Sequence, residues 1–178
     1  MPRLFTAIEV PPGVAEALDM LRGGLPGARW IDRENYHVTL RFIGDVDDVA
    51  AREAADALAQ SKRAAFDLYF DGLAAFGGRK SRAVVANVAP TPALLELQAE
   101  QERLMRRIGL EPEPRKYTPH VTLARLRTSS SLDVAEYLSA RGYFRTAPFP
   151  VSQFVLFSSR ASTGGGPYVA EATYPLDA

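Results

Sequence analysis

The tetrapeptide HVTL is written twice in this chain, at residues 37–40 and 120–123, and the chain's two histidines are the ones inside it. The surroundings repeat as well. Residues 3–10, RLFTAIEV, are rich in strand formers and are closed by Pro11 and Pro12. Residues 13–21 then set Val14, Ala17, Leu18 and Leu21 at helical spacing, up to Gly23 and Gly24. The first HVTL strand runs on to Gly44. An Ala-rich helix over 45–59, with Val49, Ala54, Ala57 and Leu58 inward, and a half-buried strand over 66–73 follow it. The second half has the same order. A strand at 83–88 precedes a helix capped by Thr91, which runs through Leu94, Leu95, Leu97, Leu104 and Ile108 to Gly109. The second HVTL comes next, then a helix near 132–138 and a strand at 153–159. A final strand, PYVAEATY, follows a glycine-rich loop.

Strand, helix, HVTL strand, helix, strand thus occurs twice, with a period of about 80 residues, too long for a solenoid unit. Such a repeat predicts an α+β fold in one bilobal domain spanning 1–178. Two pseudo-symmetric α/β lobes, from roughly 1–80 and 81–178, would turn antiparallel-rich sheets toward a central groove with one HVTL strand on each side. Side chains alternate faces along a strand, so His37 and Thr39 share one face while Val38 and Leu40 enter the core. His120 and Thr122 stand in the same way before Val121 and Leu123.

Two imidazoles flanking a cleft make an acid/base pair, because an unperturbed pKa near 6.5 lets one ring be neutral while its twin is protonated. The threonine hydroxyls beside them suit the non-bridging oxygens of an anionic centre. Phosphodiester transfer fits this layout, with attacker and leaving group in line and charge growing between them. A single His-x-Thr in a strand is ordinary strand chemistry. A second histidine followed by VTL, however, arises by chance only on the order of once in a few thousand. A zinc site would want three or four ligands, and threonine is a poor one.

Composition narrows the class. Lys+Arg and Asp+Glu both total 21, which excludes a polybasic scaffold coating duplex DNA. The absence of cysteine excludes disulfides, thiol nucleophiles and Cys-ligated metals. The amino-terminal apolar run is too short for a secretory signal, and nothing approaches the ~20 apolar residues of a membrane span, so a cytoplasmic protein is expected.

The chain resembles the two-histidine phosphoesterases with paired His-x-Thr motifs, and among them the RNA 2′,3′-cyclic phosphodiesterases, also called 2′-5′ RNA ligases. The resemblance rests on RLFTAIEV, on Arg29-Trp30, on NYHVTLRFIG (35–44), on YTPHVTLAR (117–125) and on FVLFSS followed by GGGPYVA. It implies a metal-independent enzyme, with no cofactor, that opens a terminal 2′,3′-cyclic phosphate to a 2′-phosphate. It also implies the reverse 2′-5′ joining of RNA ends. By the same resemblance His37 is the proton donor and His120 the proton acceptor. The partner is RNA with a cyclic phosphate end, tRNA fragments among the candidates, or a small cyclic nucleotide; no protein partner is implied. The alternative is a non-catalytic module that binds a nucleotide or an RNA 3′ end.

Five positions past each histidine stand Phe42 and Arg125. In similar proteins the aromatic stacks on a base and the arginine binds phosphate, yet simple alternation sends both to the core face unless a bulge intervenes. For Arg125 a phosphate ligand is expected, since burying an unpaired guanidinium is costly. Phe42 reads equally as core. Arg41, by parity, shares the face of His37 and is either a groove cation or a solvated strand residue. Tyr117 and Tyr168 either stack on bases in the groove or complete the core. The basic run GRKSR (78–82) meets an RNA backbone or only solvent. STGGGPY lacks the ending of a P-loop and reads as a hairpin loop at the groove edge.

Overall fold

The computed structural model describes residues 3–159 and 168–177. Within them run β1 (Arg3–Glu9), α1 (Pro12–Asp19), β2 (Ala28–Trp30), β3 (His37–Asp45), α2 (Asp48–Leu58), β4 (Phe66–Leu68) and β5 (Phe70–Gly77). They continue as β6 (Ser81–Val88), α3 (Pro92–Arg107), β7 (His120–Leu126), α4 (Ser131–Arg141), β8 (Phe149–Val151), β9 (Gln153–Ser159) and β10 (Tyr168–Pro175). A single 3-10 turn over Arg33–Asn35 leads into β3.

The strands form two four-stranded antiparallel sheets, in the orders β10-β9-β1-β3 and β2-β7-β6-β5, with β4 and β8 as a separate pair. The expected α+β architecture is therefore present, and each sheet carries one HVTL strand. The sheets do not divide the chain at residue 80. That cut falls in the tight β5–β6 hairpin, and chain neighbours joined by a short turn pair with each other. The sheets also exchange strands: β9 and β10 return to join β1, while β2 crosses to β7. The stretch 66–73, expected as one strand, breaks at Tyr69, because β4 pairs with β8 while β5 pairs with β6.

Local chemistry sets the helix ends. The Asp47 carboxylate accepts the Ala50 N–H at 2.8 Å, and the Ser130 hydroxyl accepts the Asp133 N–H at 3.1 Å. Helix α3 starts differently from expectation: Pro92 opens it, and the buried Thr91 hydroxyl makes no cap bond. Val49, expected inward, is exposed, and so is Leu95 among the apolar residues that marked the second helix. In α2 the apolar stripe passes through Ala50, Ala51, Ala54, Ala57 and Leu58 instead. In α3 it passes through Leu94, Leu97, Gln101, Leu104 and Met105, one position off Leu95. One core cluster reaches across both sheets. Phe70 and Phe154 are fully buried in it, and burying such a side chain contributes about 1.5–3 kcal/mol.

Candidate active site

The two HVTL strands are bulged at the same residue. Along β1 and β3, Ala7 lies opposite Thr39 and Thr6 opposite Arg41, leaving Leu40 as the extra residue. Along β6 and β7, Val85 lies opposite Thr122 and Val84 opposite Ala124, leaving Leu123 as the extra residue. A bulge reverses the parity of everything beyond it. Leu40 and Arg41 are consequently both buried, as are Leu123 and Ala124, and the next residues, Phe42 and Arg125, emerge on the histidine face. Phe42 is 49% exposed and belongs to the groove wall rather than the core.

The same reversal corrects the expectation for Arg41. At 5% exposure it points away from His37, toward α3. Its Nε donates to the Glu102 carboxylate at 2.6 Å, and its terminal nitrogens donate to the carbonyls of Phe42 and, at 2.5 Å, of Glu111. The Thr6 hydroxyl accepts the Arg41 N–H at 3.0 Å and donates to Gln101 Oε1 at 2.5 Å. Arg41 is thus neither a groove cation nor a solvated residue; it clamps the bulge to α3.

Strands β3 and β7 pack against each other, and a groove of about 300 Å³ between the sheets is lined by His37, Thr39, Phe42, His120, Thr122 and Arg125. Arg3, Phe5, Asn35 and Tyr168 complete much of its wall. The histidines are held alike. His37 Nδ1 lies 2.8 Å from the Asn35 carbonyl, and His120 Nδ1 lies 2.7 Å from the Thr118 carbonyl, each two residues back. A carbonyl can only accept, so each Nδ1 carries the proton and Nε2 is the atom left to titrate.

Aromatic rings desolvate both imidazoles. His37 lies 4.9 Å from Phe5 and 5.0 Å edge-on from Tyr168; His120 lies 4.7 Å edge-on from Phe76. Burial is the main force pushing His37 below its ordinary value of 6.5. The Asn35 bond opposes that shift, and the charges of His120 and Arg125 add to it. His120 is lowered for the same first reason, opposed by its Thr118 bond and reinforced by Arg125. Among the described residues no carboxylate pairs with Arg125, whose exposed guanidinium gives the groove a cation.

Tyr168 lies in the groove wall, its phenol pushed up by burial and drawn back by Arg125. Tyr117 does not line this groove. Its hydroxyl donates to the Thr39 carbonyl at 2.7 Å, so it ties the segment before β7 to β3, and burial pushes its phenol up. Arg79, Lys80 and Arg82 lie exposed on the β5–β6 hairpin; the glycine-rich stretch 164–166 lies outside the described residues. Sequence reading missed Phe5 and Phe76, which back the imidazoles, and the carbonyls of Asn35 and Thr118, which orient them. A backbone carbonyl carries no side-chain signature, and the phenylalanines come from distant strands. Among the described residues no group of three His, Asp or Glu is placed to hold a metal, and no helix is long and apolar enough to cross a membrane.

The sequence profile that matches residues 10–163 is that of the 2′-5′ RNA ligase superfamily. The chain belongs to this superfamily. Its relatives include a protein of Aeropyrum pernix named RNA 2′,3′-cyclic phosphodiesterase, 37% identical over 61% of this chain and 62% of that one. A protein of Thermotoga maritima with the same name is 30% identical over 93% of this chain and 91% of its own. The match thus spans less than two thirds of the Aeropyrum relative but most of the Thermotoga one. Among solved structures, E. coli LigT complexed with 3′-AMP shares the fold at a TM-score of 0.80 and 24% identity, covering 99% of both chains. TT0787 of Thermus thermophilus shares it at 0.81 and 19%, covering 97% of both. The two-histidine groove of this superfamily member thus sits on a fold common to those proteins.

Proposed function

We propose that this chain is an RNA 2′,3′-cyclic phosphodiesterase that works by metal-independent His/His acid–base catalysis. The observation that carries the reading is the matched pair of imidazoles on one groove, each with Nδ1–H anchored and Nε2 left for chemistry. Relatives named for this activity support it. His120 Nε2 takes a proton from water as its oxygen bonds to phosphorus, and the bond from phosphorus to the 3′ oxygen breaks. His37 Nε2–H gives its proton to that oxygen, leaving a 2′-phosphate and a 3′-hydroxyl. Thr39, Thr122 and Arg125 hold the non-bridging oxygens, where negative charge grows. With an RNA 5′-hydroxyl in place of water, the same steps join two ends through a 2′-5′ bond.

The test is hydrolysis of a short RNA with a cyclic phosphate end, in chelator, with the product identified as the 2′-phosphate by phosphorus NMR. His37→Ala and His120→Ala should each lower kcat by about 10²- to 10⁴-fold, the usual contribution of a positioned acid or base. Turnover that survives either substitution, or that stops with chelator, refutes the mechanism. Tight binding of the cyclic end without turnover would make the groove a binding module.

A further inference from the structure

Among the described residues, two clefts that share walls with the groove differ in charge. One adjoins His37 and Tyr168 and, among the described residues, sets the carboxylates of Glu9 and Glu34 against the guanidinium of Arg33. The other, of about 530 Å³, adjoins Thr39, Phe42 and His120 and continues past Phe76 to Arg115 and Lys116. Its one carboxylate, Glu113, is engaged by Arg115 Nε at 3.3 Å, and Arg115 is otherwise open to solvent. Arg41 also borders it but is consumed by Glu102. The β5–β6 hairpin that carries Phe76 also bears the exposed Arg79, Lys80 and Arg82, which do not themselves line the cleft.

A groove of about 300 Å³ is at the small end of single-ligand sites, a size suited to about one nucleotide. An RNA longer than that must leave it, carrying one negative charge per nucleotide. The acidic cleft opposes such a strand; the basic one attracts it, and Phe42 and Phe76 offer rings against which bases stack. We propose that the cleft from Phe76 to Lys116 is a single-stranded RNA track that binds the nucleotides preceding the one with the cyclic phosphate. This rests on the phosphodiesterase reading and adds to it a preference for polynucleotides over mononucleotides, set by charges outside the catalytic groove.

The experiment compares kcat/KM for a 2′,3′-cyclic mononucleotide and for a hexanucleotide with the same 3′ end, across a salt series. The parent protein should prefer the hexamer by about tenfold or more at low salt. Arg115→Glu/Lys116→Glu should bring that preference close to one and flatten the logarithmic salt dependence by about 0.7 for each phosphate that is no longer neutralised. Arg52→Glu, a charge reversal on the exposed face of α2, should keep the preference. Equal use of both substrates by the parent, or a preference that survives the double substitution, overturns the track. So does a double variant that spares hexamer hydrolysis but slows joining to a 5′-hydroxyl RNA, since the cleft would then hold the incoming strand. If neither substrate turns over, the activity reading has failed and the track is judged by binding alone. Fluorescence anisotropy of a hexamer ending in 2′-phosphate should then still show weakening by the double substitution, and unchanged binding refutes it.

Discussion

Replacing Arg41 with methionine removes a buried cation while leaving its partner in place. The substitution erases the 2.6 Å ion pair to Glu102 and the two bonds to the carbonyls of Phe42 and Glu111. Breaking a buried pair on one side costs about 3–5 kcal/mol, because the remaining charge is stranded. Glu102 keeps some solvent and the Glu113 N–H at 3.1 Å, which favours the low end, about 3 kcal/mol. With a urea slope of about 2 kcal/mol/M, the unfolding midpoint should fall by about 1.5 M. Methionine at both positions should cost clearly less than the sum of the two single changes, by about 1.5 kcal/mol or more, since no unpaired charge remains. Because Arg41 also anchors the backbone between the bulge and Phe42, the single variant should weaken substrate binding as well as stability. Urea unfolding of the four proteins of the cycle, with steady-state kinetics on each, makes the measurement. A loss below about 1 kcal/mol for the single variant, or strictly additive changes, would refute the clamp.

The pH profile follows from the lowered imidazoles. The acid form of His37 is lost as pH rises through its lowered value, and the base form of His120 is lost as pH falls through its own. The bell in kcat/KM should therefore be centred on the acid side of 6.5, and a bell centred well above that value would contradict the desolvation account. Arg125→Gln should move both limbs toward alkaline pH, because its charge lowers both rings, and should reduce kcat/KM; unmoved limbs would deny the electrostatic coupling. Tyr117→Phe keeps the ring and deletes the 2.7 Å bond to the Thr39 carbonyl. Denaturant unfolding should show a loss of about 1–2 kcal/mol, whereas no loss would favour base stacking over the strut.

The sequence by itself determined which four side chains share the groove-facing side of the two HVTL strands, and the class of fold. Two HVTL strands in matching surroundings put His37, Thr39, His120 and Thr122 on one kind of face, and this follows from strand periodicity alone. Tertiary structure decided what lies beyond those four positions. Alternation sent Phe42 and Arg125 inward and Arg41 outward, and the bulges at Leu40 and Leu123 reversed all three. A bulge is chosen by the partner strand and by what packs behind it, here Thr6, Gln101 and Glu102, which lie tens of residues away. The exchange of β2, β9 and β10 between sheets, and the phenylalanines behind the imidazoles, depend on the same long-range pairing. Periodicity reports which way a side chain points relative to its neighbours in the chain; only the packed fold settles which surface it meets.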